Sequence, residues 1–388
     1  MTAARRGAGR GEPRFDVTFY APWVAPLLRA GDERSTGGSE TQILLIARGL
    51  AERGAQVAMI VVEIGPALPR SVDGIAIVPL RLPATRSLGR LVALLRAAPS
   101  VLQTIRGSRV VVQRAAGFEV GVLALVARLM RRRFVYSTAS IADFDDESRQ
   151  DARRLRVVLF RLGLRLSSHI VVQSGEQAEL CRTRLERPCT VIRSIAEPGP
   201  AVADGRVLLW VGRLADYKRP EDFLALAETL PEFELWMVGA PQGGSEALEA
   251  RLRARAAELP NVRLLDPRPR EQLLDLIAHA GAMVHTGDFE GMPNVLLEGW
   301  ARGVPALTLR FDPDGVIERE GLGSFAHGDL IVLAEQARHL VSDRDLHADV
   351  AQRCRAYVAR HHDREAVLDQ WESVVGLPTG LRAIRHVA

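Results

Sequence analysis

The sequence predicts an α/β protein built of two doubly wound domains in tandem, and three observations carry that prediction. Short β-rich runs alternate with helical patterns, which implies parallel strands covered by helices on both faces. The alternation stops at "IAEPGPAVADGR" (195–206), a stretch rich in Pro, Gly and Ala, and then restarts. The two halves also differ in charge: residues 1–200 carry 30 Lys+Arg and 18 Asp+Glu, whereas residues 201–388 carry 21 and 29. At 388 residues and 47% hydrophobic content, the chain can bury about two cores of ordinary size. The expected boundaries are a disordered basic tail over 1–14, a first domain over 15–197, a linker over 198–205 and a second domain over 206–388. Terminal helices of the second domain are expected to be able to pack back on the first.

In the first half "FDVTFYAP" reads as a strand, "SETQILLIARGLAERG" as a helix with Gly54 as its C-cap, and "QVAMIVVE" as the next strand. Further β-rich runs are "GIAIVPL" (74–80), "RVVVQRAAG" (109–117), "RFVYSTAS" (133–140) and "HIVVQS" (169–174), separated by Leu/Arg-rich helical patterns. In the second half the strands "VLLWVGR", "FELWMVGA", "VRLLD", "AMVHT" and "VPALTL" alternate with four helices. These are "PEDFLALAETL", "SEALEARLRARAAEL", "REQLLDLIAHA" and "PNVLLEGWARG". Residues 343–376 read as helical with polar spacing, and no sequence repeat links the halves.

Composition narrows the function classes. Cys181, Cys189 and Cys354 form no CxxC pair, so neither a disulfide framework nor a zinc site is indicated, and a cytoplasmic setting is expected. The basic N-terminus has no apolar core or cleavage site of a signal peptide, and arginines interrupt every long apolar run. A basic half suits nucleic acid, an anionic membrane or a phosphorylated substrate. Aromatics at 5% and the lack of any nucleic-acid motif argue against the first. "GVLALVARLMRRRF" (121–134) and "RRLRVVLFRLGLRL" (153–166) mix Leu and Val with Arg. They read either as interfacial helices or as core-packing helices with a solvated Arg face.

Three strand-to-helix junctions stand out, because ligands of parallel sheets bind beyond the carboxyl ends of the strands. "TGGSE" (36–40) offers Gly37 and Gly38 for close backbone approach, with Ser39 and Glu40 at the cap and first turn. "VGRLADYKRPEDFLALAE" (211–228) holds Arg213 at a strand end and Lys218 just before Pro220. Lys218 is the single lysine beside fifty arginines, which suggests a site that wants a compact ammonium, as a phosphate does. "DFEGMPNVLLEGWARGVPAL" (288–307) holds Glu290 in a loop and Glu298 in the helix after Pro293. Eight helical residues rise about 12 Å, too far for a glycosidase pair, so the two carboxylates are expected to touch different parts of one elongated ligand. "DPD" (312–314) reads as a turn, not a metal motif, and His169 as structural.

On these residues the chain resembles the retaining GT-B glycosyltransferases of glycosyltransferase family 4. The likeness runs through "GGSETQILLIARGLAERGAQVAMIV", the Lys218 stretch and the Glu-x7-Glu signature in order. It implies a GT-B fold of two Rossmann-like domains facing across a cleft, with the acceptor on the N-terminal domain and a nucleotide sugar on the C-terminal one. Arg213 and Lys218 would bind the donor diphosphate, Gly37 and Gly38 would approach it from the other domain, and Glu298 would bond the ribose. Glu290 would lie near the sugar, framed by the backbone of Gly291, Met292, Pro293, Asn294 and Val295. The implied activity is a metal-independent retaining transfer with no cofactor, using Glu290, Arg213 and Lys218 catalytically. The expected acceptor is a glycan or lipid-linked molecule of the cell envelope or an exopolysaccharide, with peripheral membrane contact through the basic domain and no nucleic-acid partner. The alternatives are a nucleotide-sugar epimerase or phosphorylase of the same architecture, or a subunit that holds nucleotide sugar without transferring it. A phosphorylase needs a pyridoxal-phosphate lysine, and the sole lysine is assigned elsewhere.

Overall fold

The computed structural model describes residues 13–29, 37–82, 88–144, 154–200, 205–240 and 244–377. Most of the expected basic tail and the centre of the expected linker, 201–204, lie outside the described residues.

The first sheet contains β1 (Phe15–Tyr20), β2 (Val57–Glu63), β3 (Ser71–Val72), β4 (Ile75–Arg81), β5 (Ser108–Arg114), β6 (Arg133–Ser137), β7 (His169–Val172) and β8 (Thr190–Val191). Its order is β3-β4-β2-β1-β5-β6-β7-β8, parallel except for the β3–β4 pair. The covering helices are α1 (Gly38–Glu52), α2 (Leu88–Arg106), α3 (Glu119–Leu129), α4 (Arg154–Leu166) and α5 (Gly175–Arg184). Strand β2 is buried along its whole length, which is why "VAMIVVE" reads as an unbroken apolar run and not an alternating one.

The second sheet contains β9 (Val207–Arg213), β10 (Leu235–Ala240), β11 (Val262–Leu265), β12 (Ala280–His285), β13 (Ala306–Thr308) and β14 (Gly323–Phe325). It is wholly parallel, in the order β11-β10-β9-β12-β13-β14. Around it lie α6 (Pro220–Thr229), α7 (Glu246–Glu258), α8 (Arg270–Ala278), α9 (Asn294–Trp300), α10 (Val316–Glu320), α11 (Leu330–Ser342), α12 (Arg344–His361) and α13 (Arg364–Val375). In each sheet the chain order reverses beside the first strand, at β1/β5 and at β9/β12, and the crevices at these switch points hold the junctions singled out above.

Helix α13 returns to the first domain. Val367, Leu368 and Trp371 join the core that holds β1 and β2. Gly49 admits Leu368, since a Cβ there would meet its methyl at 2.4 Å. The chain passes between domains twice, and the two passages are bonded together: Ala196 N–H donates to the His362 carbonyl at 3.2 Å, and His362 Nδ1–H to the Ser194 carbonyl at 2.7 Å.

Two local expectations are corrected. Gly54 sits at φ 96, one residue beyond the actual C-cap, Arg53. The N-cap of α1 is Gly37, so Ser39 falls inside the first turn and caps nothing. Helices α3 and α4 are pressed together through Gly121 and Gly163, where a Cβ on Gly121 would meet the Leu159 carbonyl oxygen at 2.1 Å. Their outer face is not only Arg: Val122, Leu125, Leu129, Leu155, Val158 and Leu162 are exposed there beside Arg128, Arg156, Arg161 and Arg165.

Candidate active site

The site is built by two loops of the second domain that stitch together. After β9, Ala215 leads into a tight turn, Asp216–Lys218, and Arg219 at φ 49 reverses the chain into α6. After β12, residues 286–293 run to α9. The Thr286 hydroxyl donates to the Lys218 carbonyl at 2.9 Å and accepts from Trp210 Nε1 at 3.0 Å. The Asp288 N–H donates to the Tyr217 carbonyl at 2.9 Å, and Arg219 Nε donates to the Asp288 carboxylate at 2.9 Å. The rings of Tyr217 and Phe289 stack with centroids 5.2 Å apart.

This stitching sets Lys218 against Glu290 as an ion pair, with side chains 13% and 21% exposed. Burial, and after it repulsion from Arg213, pushes the Lys218 ammonium down to about 7, while the Glu290 carboxylate acts in the opposite sense. Arg213 is exposed at the strand end, and its Nη2 donates to the Tyr217 hydroxyl at 3.1 Å. Behind them His285 is buried, and neither ring nitrogen has a hydrogen-bond partner. Burial, and next Lys218, push its pKa down to about 3, so the ring is neutral.

Glu298 lies one turn into α9 and accepts from Arg270 Nη1 at 2.5 Å. At 13% exposure it is no solvated helix residue. Opposite, the start of α1 brings Gly38 against Asn294, where a Cβ would stand 2.1 Å from Nδ2. The Asn294 Oδ1 is buried without a partner.

Between the domains these groups line one cleft of about 630 Å³. Of the residues expected at the site, Gly37, Gly38, Arg213, Lys218, Glu290, Met292, Pro293, Asn294, Val295 and Glu298 line it. Gly291 does not: the turn into α9 buries it against the first domain, where a Cβ would meet the Ala139 carbonyl oxygen at 2.6 Å. Tyr217, Phe289, Arg268, Arg270 and Asp143 also line the cleft without having been singled out from sequence.

The "DPD" carboxylates serve backbone groups. Asp312 accepts from the N–H groups of Ile317 and Glu318 at the start of α10. Asp314, at φ 57 in its turn, accepts from Gly175 N–H at 3.1 Å and Glu176 N–H at 2.9 Å, at the start of α5 in the other domain. His169 lies away from the cleft and bonds Thr190 Oγ1 at 2.9 Å. In the first domain, next to the cleft residues Ala115 and Ala116, Arg114 is buried and donates to Gln173 Oε1 at 2.7 Å. Burial pushes its pKa down to about 10 against the opposing pull of Glu40, Asp143 and Tyr136.

Comparison with known proteins agrees with this anatomy. A glycosyl transferase 4-like domain model matches residues 37–196, and a glycosyl transferases group 1 model matches 192–357. The chain is 31% identical over 149 residues to a D-inositol 3-phosphate glycosyltransferase of Corynebacterium diphtheriae, covering 36% of this chain and 35% of that protein. It is 25% identical over 175 residues to the lipopolysaccharide core biosynthesis glycosyltransferase LpsE of Rhizobium meliloti, covering 44% and 49%. The match thus spans about a third to a half of the length of these curated relatives. Among solved structures, Anabaena HepE in complex with UDP and glucose superposes with a TM-score of 0.72 at 17% identity, covering 93% of this chain and 99% of that one.

Proposed function

Since the chain belongs to the group 1 glycosyl transferases of GT-B fold, we propose that it transfers a sugar from a nucleotide-diphosphate donor to an acceptor, with retention at the anomeric carbon and without a metal ion. One observation carries the reading: the sole lysine of the chain is largely covered at a cleft wall, paired with Glu290 and with Arg213 near it. A donor diphosphate entering the cleft offers this ammonium two further anionic partners. The bond between the anomeric carbon and the diphosphate oxygen breaks with negative charge building on the diphosphate. Lys218 and Arg213, with the N-terminus of α1, stabilise that charge without reorganising. Glu290 lies where the sugar hydroxyls would be, and Glu298 with Arg270 where the ribose would be. The acceptor oxygen takes the diphosphate's place on the same face of the sugar, and its hydroxyl proton passes to the departing diphosphate oxygen.

Two features support a metal-free reaction: Arg213 and Lys218 supply positive charge at the proposed diphosphate site, and the Asp312 and Asp314 carboxylates accept backbone N–H groups at helix starts. The acceptor is a glycan or lipid-linked molecule held by the first domain. The exposed Leu and Val of α3 and α4 among arginines suit contact with an anionic membrane surface. A thermal-shift screen of UDP-, GDP- and ADP-sugars tests the donor. At 100 times its dissociation constant the right one stabilises by about 2.7 kcal/mol, in excess EDTA as well. No response to any of them, or a response only with added Mg²⁺ or Mn²⁺, would sink the reading in whole or in its metal-free form.

A further inference from the structure

Helix α3 presents Val122, Leu125 and Leu129 on one outward stripe, and α2 lies beside it. Between them runs a groove of about 260 Å³ with apolar walls that include Ala98, Leu102, Phe118, Val122 and Val126. Leu102, Phe118 and Val122 are 39%, 41% and 45% exposed, an unusual concentration of uncovered large apolar side chains at one rim. Among the described residues, the only polar side chains in its wall are Tyr20 and Glu119.

Those two residues belong also to a second pocket, of about 110 Å³, whose mixed wall adds the polar side chains Ser39, Glu40, Gln113 and Arg114. Within it Gln113 Oε1 and Arg114 Nε are buried without hydrogen-bond partners, a cost normally met by a ligand or water. This pocket in turn shares Ser39, Glu40, Ala115 and Ala116 with the donor cleft. Apolar groove, polar pocket and donor cleft therefore adjoin in a row, each sharing wall residues with the next. The Arg156 guanidinium lies 5.7 Å from the Phe118 ring at the groove's edge, placing positive charge beside its entrance.

We propose that the acceptor is an amphiphile whose hydrocarbon chain lies in the α2–α3 groove while its head passes Tyr20 and Glu119 into the polar pocket, presenting a hydroxyl to the donor cleft. This rests on the reading of the chain as a sugar transferase and commits it to a substrate class. A small polar acceptor would leave the groove empty and has no use for its place in that row.

The test measures binding of n-alkyl glucosides of about six to twelve carbons, below micelle formation, by calorimetry. Affinity should rise about two- to fourfold per added methylene until the groove is full. Val122→Glu and Leu102→Glu, both at partly exposed positions, should flatten that rise while leaving stabilisation by the nucleotide sugar unchanged. Leu155→Glu, on α4 outside the groove, should leave the rise intact. Affinity independent of chain length, or a rise that survives both groove variants, overturns the proposal. So does a rise abolished by Leu155→Glu alone, which would move the chain onto the α3–α4 face. Failure to bind any nucleotide sugar would instead strike the transferase reading, so the two failures are separable.

Discussion

Lys218 is charged below about pH 7 in the free protein and increasingly neutral above it. A diphosphate binds the charged form, raises its pKa and so draws in a proton at alkaline pH. Donor affinity should therefore be level below about pH 7 and fall above it by up to about tenfold per pH unit, read by calorimetric titration. Lys218→Arg cannot lose its proton, so it should abolish the pH dependence, with weaker binding throughout because a planar fork does not fit between Tyr217 and Glu290. A wild-type affinity that stays flat to about pH 9 would show either that Lys218 keeps its proton in the free protein or that another group holds the diphosphate, and Lys218→Ala decides between the two. The two glutamates should separate kinetically. The proposed reading sets Glu298 against a part of the donor that does not react, so Glu298→Gln should raise the donor KM, by about three- to tenfold, with kcat little changed. The proposed reading sets Glu290, the ion-pair partner of Lys218, beside the bond that breaks, so Glu290→Gln should chiefly lower kcat, by about tenfold or more. Steady-state kinetics on both variants decides between these roles and their reverse.

At the scale of elements, the parts legible in the sequence are those whose signal is local. Strand β2 announces itself by an unbroken apolar run, and α6 by Pro220 followed by Glu221 and Asp222 in its first turn. Strand β14 does not, because three residues beginning with glycine carry no period, and pairing with β13 alone makes them a strand. Helix α2 runs through Pro99, which local propensity counts as a break. The site divides in the same way. Lys218 is chemically conspicuous among fifty arginines, and Glu290 and Glu298 flank a helix start, so all three can be read directly. Arg270 is one arginine among the rest, and its pairing with Glu298 joins α8 to α9 across the fold, which no local pattern encodes. Asp314 is a further case: its turn is legible, but its hold on the start of α5 is not. Asp314→Gly keeps the left-handed backbone and deletes the two bonds to Gly175 and Glu176, so it removes the interdomain contact without strain. It should raise the donor and acceptor KM by about three- to tenfold and lower the melting temperature by only about 2–8 °C, since exposed bonds of this kind contribute about 1–2 kcal/mol. Unaltered kinetics would show that the contact does not assist closure.

At the scale of the whole molecule, the first domain is completed by the far end of the chain. Trp371 of α13 is 2% exposed in the core shared with α1, so Trp371→Ala should destabilise that domain by about 3–5 kcal/mol. Calorimetry should record an earlier first-domain transition, while stabilisation of the second domain by a nucleotide persists. A single unshifted transition would mean that α13 is dispensable. The side-by-side passages at Ser194–Ala196 and His362 bear on motion as well. Two covalent strands tied at one place form a spine: the domains can swing about it, but sliding or twisting would tear the bond between the strands. Opening of the cleft should then follow that swing most easily. One pair of spectroscopic labels, set on opposite lips of the cleft far from the spine, would report the entire cycle, and every labelled pair should trace the same time course scaled only by its distance from that axis.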